Sequence, residues 1–405
     1  MVVRSKRARS LGVSGLTLVA VFLIASQAGG SGSSSHADPS KSEQADATIA
    51  PIRVKRPISP SPYRTPKRAL RVSSSRELVA ELARQHPADI VLAPGVYDNA
   101  GPFSNRYGHR LYAARLGKAV LKAGIVLGAN EGPPGAVVRG IRFDVADRAK
   151  TLYGAIIHVW GSARNAQVLD TSLDGNGVVD AGVIVTQPEG FVARRLVATG
   201  FRSYGVLVDP NDDHYRARLP YVLEDLDVSD VVRPVPGSSR GTAEACLWLG
   251  STGTVRRVNV RRCGLVGIWT GTANRRSRVE DAAIDRTRIG IYIEHYTTGS
   301  TFQKLRIGPS VSRGVNAEWA NPAVGGRPAS VDNVIQDGYF NTSFVGVYLD
   351  EGTTRTSVRR CKFVAQKWAA IGDYKGIDNR YYANDFTGIA STAVSVSHEH
   401  NAGAR

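Results

Sequence analysis

Apolar and polar residues alternate in short runs that recur along the chain, most of them opening on glycine. The runs are Gly182-Val-Ile-Val, Gly205-Val-Leu-Val, Cys246-Leu-Trp-Leu, Gly267-Ile-Trp-Thr, Gly290-Ile-Tyr-Ile, Gly314-Val-Asn-Ala and Gly346-Val-Tyr-Leu, with weaker copies at Ala370 and Ala393. Alternation with period two predicts strands, not helices. The starts lie 23, 41, 21, 23, 24, 32, 24 and 23 residues apart. The two long intervals hold insertions, at 210–220 and 233–243 in the first and at 321–328 in the second. A second apolar run follows each first one, as at Phe191-Val-Ala-Arg-Arg-Leu-Val, Val255-Arg-Arg-Val-Asn-Val, Val279-Glu-Asp-Ala-Ala-Ile, Phe302-Gln-Lys-Leu-Arg-Ile and Val358-Arg-Arg-Cys-Lys-Phe. A unit of this length with two or three short strands is one coil of a solenoid, whose core is shared between stacked neighbours. A propeller blade would need roughly twice the period.

The start of the array has its own signals. Ser74-Ser-Arg-Glu77 reads as a capping box, and Leu78 and Leu82 make the following short helix amphipathic. Asp89-Ile-Val-Leu-Ala-Pro-Gly95-Val-Tyr97 then reads as a first strand and turn. With these residues and the recurring coil, the chain from about Val72 onward resembles the right-handed parallel β-helix (pectin-lyase-like) superfamily. The resemblance implies an all-β, single-stranded right-handed parallel β-helix. It also implies a short N-terminal helix that covers apolar core and an unpaired strand edge. It does not fix the reaction, because one fold hosts many chemistries.

The repeat aligns side chains into columns. With the opening Gly as position zero, Val206, Leu247, Ile268, Ile291, Val315 and Val347 occupy plus one, and Val208, Leu249, Thr270, Ile293, Ala317 and Leu349 occupy plus three. These columns should face the core, so plus two and plus four face outward. Plus two carries Leu207, Trp248, Trp269, Tyr292, Asn316 and Tyr348; plus four carries Asp209, Gly250, Gly271, Glu294, Glu318 and Asp350. An aromatic ladder thus runs beside an acid ladder, with two glycines as an open shelf and the insertions as walls. At ~4.8 Å per rung, Glu294 and Asp350 are about 9.6 Å apart at the backbone. Glycosidase carboxylate pairs stand ~5–5.5 Å apart for retention and ~6.5–9.5 Å for inversion. Glu294, Glu318 and Asp350 are therefore the candidate catalytic acids. Like charges so placed favour protonation of one acid or capture of a cation such as Ca²⁺ by the same three side chains. Trp248, Trp269, Tyr292 and Tyr348 offer flat faces for sugar rings. Asp209, His295, Glu351 and Lys375 could add polar, basic or charge-neutralising contacts. The bland alternative is a solvated sheet face with ordinary stacked aromatics. At Ala370 the register is open: Asp373 faces inward if Ala370 is position zero and outward if Ala369 is.

Composition changes the picture at the N-terminus. Arg4, Lys6, Arg7 and Arg9 precede an apolar stretch from Leu11 to Ala25, and Ser26-Gln27-Ala28 fits a small-residue cleavage site, so residues 1–28 read as an export signal. Residues 29–70 form a Gly/Ser-rich, then Pro-rich and basic linker with little to bury, and 71–405 form the β-helix domain. The chain has 52 Lys and Arg against 35 Asp and Glu, and +9 of the net +17 lies in residues 1–72. The remaining +8 is no dense basic stripe, which argues against a nucleic-acid partner; it suits an anionic polysaccharide or a polyanionic cell envelope. No segment after the signal is apolar enough to enter a membrane.

Other motifs are weaker. Tyr204-Gly-Val-Leu-Val-Asp209-Pro-Asn-Asp-Asp-His214 is similar to the Tyr-Gly…Asp-Pro-His motif of mannuronan C5-epimerases, with two extra residues before Asp209 and Asn211 in place of the histidine. The signatures of polygalacturonases and pectate lyases are absent. Cys246, Cys263 and Cys361 read as buried small hydrophobes, with a Cys246–Cys263 bridge open as an alternative. No zinc spacing, nucleophile elbow, P-loop or dinucleotide fingerprint occurs. The reading is an exported β-helix that hydrolyses or eliminates a bond in an acidic polysaccharide along its outer groove. The alternative is a non-catalytic surface or carbohydrate-binding β-helix, and a uronan epimerase is the third.

Overall fold

A computed structural model describes residues 63–128, 135–161, 163–210, 217–232, 245–271, 273–309, 311–317 and 330–397. The export signal, most of the linker, the greater part of the expected walls, His214 and Glu318 lie outside the described residues. The period-two runs form strands, 29 among the described residues, and every strand–strand pairing is parallel. The chain winds as a right-handed parallel β-helix. Several strands run on through a corner of the coil: Gly253–Thr270 is one bent strand of 18 residues where two short strands were expected.

Register confirms the columns. Val206, Leu247, Ile268, Ile291, Val315, Val347 and Ile371 pair in sequence, and all are buried. Ile371 opposite Val347 makes Ala370 the zero position, so Asp373 belongs to the inward column. It is buried and accepts hydrogen bonds from Gly376 N, Asn379 Nδ2 and the Tyr381 hydroxyl. The opening glycines are explained by close approach. A Cβ at Gly290 would stand 2.5 Å from the carbonyl oxygen of Gly314, and one at Gly314 would stand 2.3 Å from that of Gly346.

Inside the coil, Phe340, Phe363 and Phe386 stack at 5.1 and 5.5 Å. Asparagines bond the backbone where it turns: the buried Asn274 and Asn333 and the half-buried Asn379 donate to the carbonyls of Leu249, Thr297 and Thr353 at 2.8, 3.0 and 3.1 Å. Asn333 and Asn379 also accept from Ser300 N and Thr356 N, both at 2.9 Å. Each of these carbonyls also accepts a backbone N–H of the next rung, so the amide takes its second lone pair. Cys246 and Cys263 form a disulfide, and Cys361 is free and buried. Of the two alternatives for the first pair, the bridge is the one observed. It ties the strand Ala245–Leu249 to the bent strand Gly253–Thr270 that follows it.

One turn column was not expected. Asp170, Arg195, Asp225, Arg257, Asp281, Lys304, Asp337 and Arg360 occupy successive rungs, all with φ between 51° and 58°. Acids and bases alternate. Arg195 pairs with Asp170, Arg257 with Asp225 (2.7 Å) and Arg360 with Asp337 (2.7 Å). A left-handed L-residue costs about 1–2 kcal/mol, which strand stacking on either side and the rung-to-rung ion pairs offset together.

Ser75–Leu82 forms the expected helix, with Leu78 and Leu82 buried in the main core. Its cap differs in detail: Ser74 Oγ accepts from Glu77 N, but the Glu77 carboxylate accepts from Ser73 N at 2.7 Å, one residue before the cap. Tyr63, in the segment read as linker, already packs under Arg139, whose guanidinium stands 5.1 Å from its ring centre. No helix among the described residues is long and apolar enough to cross a membrane.

Candidate functional site

The outward columns lie on one sheet face, as the alternation requires. Trp248, Trp269, Tyr292, Asn316 and Tyr348 occupy consecutive rungs. Tyr204 and Trp248 stand 5.4 Å apart between ring centres, Trp248 and Trp269 5.6 Å, and Trp269 and Tyr292 4.8 Å. The rings are tilted or edge-on, so they form a packed ridge instead of a flat plate. Trp269 is only 5% exposed, and with Ala245 and Val266 it forms a second apolar cluster outside the coil. Trp248 and Tyr292 are half-buried beside it.

Glu294 follows Tyr292 on the plus-four column and is 7% exposed. Its side chain leans back one rung. The Trp269 indole N–H donates to Glu294 Oε2 at 3.0 Å. A Cβ on Gly271 would fall 2.0 Å from the same oxygen, so the carboxylate fills the space that this glycine leaves open. His295 Nδ1 stands 3.7 Å from the other carboxylate oxygen.

Tyr204 senses the result. Burial first, then the charges of Asp209 and Glu294, push its phenol well above the usual tyrosine range, so it stays protonated. Asp209 and Glu294 thus act on one ring from either side of the Gly250–Gly271 shelf. At ~4.8 Å per rung, a carboxylate at the level of Gly271 is about 9.6 Å from the Asp209 rung. Leaning back one rung takes Glu294 further from Asp350, to about three rungs, roughly 14 Å.

A second group lies further along the same face. The Arg313 guanidinium stands 5.1 Å from the Tyr348 ring centre and donates to Asn316 Oδ1 at 2.8 Å. Burial, then the Asp350 charge, push the Tyr348 phenol up to about 12, with Arg313 opposing. Asp350 Oδ1 accepts from Glu351 N at 2.9 Å. The Lys375 ammonium stands 4.9 Å over the Tyr374 ring. Phe344 and Trp368 stack at 5.5 Å, and Trp368 also meets Tyr348 at 5.9 Å.

The expected residues therefore form two groups: Asp209, Trp248, Trp269, Tyr292, Glu294 and His295 in one, and Tyr348, Asp350, Glu351 and Lys375 in the other. Glu318, expected between them, lies outside the described residues. Among the described residues no three or more His, Cys, Asp or Glu side chains gather as metal ligands. The columns did not reach Phe344 and Trp368, which share an offset two residues before the zero position, or Arg313, one residue before it. Nor did they reach the trio of Tyr153, His158 and Trp160, with ring centres 4.8 to 6.1 Å apart, on rungs before Leu207. Burial pushes the His158 imidazole down to about 4, and neither ring nitrogen has a hydrogen-bond partner.

No protein-family model matches the sequence, and no curated protein matches it. Solved structures match the fold. A mutant form of the PL6 family alginate lyase AlyGC is 14% identical with a TM-score of 0.56, over 82% of this chain and 54% of that one. The catalytic unit of a GH87 α-1,3-glucanase from Streptomyces thermodiastaticus is 12% identical with a TM-score of 0.46, over 83% and 69%. PfbA, a surface adhesin of Streptococcus pneumoniae, is 10% identical with a TM-score of 0.39, over 80% and 93%. At such identities the likeness is one of fold, and the class is the right-handed parallel β-helix.

Proposed function

We propose that this β-helix is exported and hydrolyses a polysaccharide bound along its outer sheet face, with Asp209 and Glu294 as the carboxylate pair. The observation that carries the reading is the posture of Glu294 over Gly271, held by the Trp269 indole. It brings the separation from Asp209 to about two rungs, close to the ~6.5–9.5 Å that leaves room for a water between substrate and base. One carboxyl protonates the leaving oxygen while the other activates that water. The Tyr204 hydroxyl, kept protonated by burial, can donate to substrate beside Trp248. Trp248 and Tyr292 line the same stretch with apolar ring surface.

The test is mass spectrometry of products from the mature protein incubated with neutral and uronate polysaccharides, with and without chelator. Fragments that gain water, and that vanish with Asp209→Asn and with Glu294→Gln, support the reading. Unsaturated fragments would replace hydrolysis by elimination. Sequencing the N-terminus of the secreted form tests export, which rests on residues 1–28.

A second reading, a binding face without turnover, is favoured by the low exposure of Trp269 and Glu294, 5% and 7%. An indole bonded to a buried carboxylate can be a packing strut. Under that reading no polymer yields fragments with the wild type or with Glu294→Gln, and Gly271→Ala changes stability alone.

A further inference from the structure

We infer that Phe344 and Trp368 form a sugar-binding platform at the C-terminal end of this face, and that it takes an uncharged pyranose of a polysaccharide chain. The inference rests on the carbohydrate-acting reading above but not on its catalytic pair. The two rings stack with planes 20° apart. Both are exposed, 42% and 37% accessible, whereas Trp269 is buried. The platform is held in place before any ligand arrives. A Cβ on Gly372 would lie 2.6 Å from Trp368 Cη2, so only glycine lets the indole lie flat along the strand. Ring surface fixed in this way loses little conformational entropy on binding.

The occupant follows from chemistry at the edges. A pyranose has a C–H face that covers an aromatic ring and a hydroxyl rim that needs donors and acceptors together. Tyr348 meets Trp368 and provides a hydroxyl, and the Arg313 guanidinium stands 5.1 Å from the Tyr348 ring centre. Arg313 spends one N–H on Asn316 and keeps others. Charges of both signs stand here, Arg313 and Lys375 against Asp350, Glu351 and Asp373. A uronate would find no net positive field here and would face a carboxylate. A neutral sugar meets no such penalty.

The test is calorimetric titration of the full chain with neutral hexasaccharides (cello-, laminari-, malto- and mannohexaose) and with a galacturonate hexamer. One neutral hexamer should bind more tightly than the uronate. Its affinity should fall about tenfold in Trp368→Ala, in keeping with the energies of ring stacking. Trp368→Phe should keep most of the affinity, and Gly372→Ala, which displaces the indole, should lose as much as Trp368→Ala. Trp368 lies on an exposed rim while Gly372 is buried beneath it, and an unchanged circular dichroism spectrum certifies the fold of each variant. Equal binding by wild type and Trp368→Ala overturns the inference, as does preference for the uronate or failure to bind any neutral hexamer. Binding through Trp368 with no cleavage by wild type would leave the platform standing and remove the hydrolase. Cleavage with affinity indifferent to Trp368 would do the reverse.

Discussion

Gly271→Ala should break the contact on which the candidate site depends. The new methyl carbon would lie 2.0 Å from Glu294 Oε2. Gly271 does not have a positive φ, so alanine brings no backbone strain of its own. The clash is with the end of a flexible side chain, and Glu294 can rotate away. What is lost is the 3.0 Å bond to the Trp269 indole, leaving a donor orphaned on a residue only 5% exposed. A hydrogen bond to a charged group is worth about 1.5–3 kcal/mol. Replacing glycine by alanine returns roughly 0.4–1 kcal/mol through the unfolded chain. The lost bond is the larger effect, for a net destabilisation of about 1–2 kcal/mol, readable as a lower urea midpoint by tryptophan fluorescence. If Glu294 is half of a catalytic pair, turnover should fall about a hundredfold, the scale of an ångström's misplacement. Glu294→Gln retains an acceptor for the indole, so it should keep the midpoint and lose turnover. A Gly271→Ala protein with the wild-type midpoint would refute the reasoning, because the carboxylate would then not occupy that space.

Three further outcomes are expected. Asn333→Ala should lower stability by about 2–3 kcal/mol in urea unfolding, since it strips partners from Ser300 N and the Thr297 carbonyl, both inside the coil. Cys246→Ala combined with Cys263→Ala opens a loop of 17 residues and should cost about 3 kcal/mol by the chain-entropy account, checked against the reduced wild type. Arg262 holds the Asp230 carboxyl down at about 2 in the folded protein, against an ordinary value near 3.8. Its contribution is therefore full above about pH 4 and is lost as pH falls toward 2. The urea midpoint of Asp230→Asn should drop less steeply than wild type across that window.

Much of the coil was legible because its cause is local. A glycine is needed wherever the next rung's carbonyl comes within 3 Å, so the repeat marks position zero in the sequence itself. The columns follow from strand alternation alone. The features that were not legible depend on stacking. Asp225 and Arg257 carry nothing that announces a left-handed turn, because neighbouring rungs impose the conformation. Bent strands such as Gly253–Thr270 look like two strands in sequence, since the corner breaks the alternation but not the pairing. At Ala370 the sequence allowed two registers, and the pairing of Val347 with Ile371 selects one. Trp368 escaped because its Cα sits outside the column while its ring reaches back over Gly372.

The charge balance has a different meaning once the turns are seen. In the sequence, a surplus of arginine suggests an anionic partner. In the structure, Arg195, Arg257 and Arg360 are bonded to the acids of the preceding rung, and Arg355 and Arg262 make equivalent pairs with Asp332 and Asp230. These guanidiniums stand at turns, away from the aromatic columns, and their field is cancelled within a few ångströms. Charge within a Debye length of ~10 Å is what a bound ligand feels at moderate salt. On the outer face the acids Asp209, Glu294 and Asp350 are offset by Arg313 and Lys375 at the C-terminal end, which leaves no net positive charge. A polymer lying there meets carboxylates and ring edges, so a polyanion would need a cation between itself and the protein. A neutral chain needs none. Binding of a neutral polymer should therefore vary little with salt or chelator, whereas a polyanion should bind only with a divalent ion present.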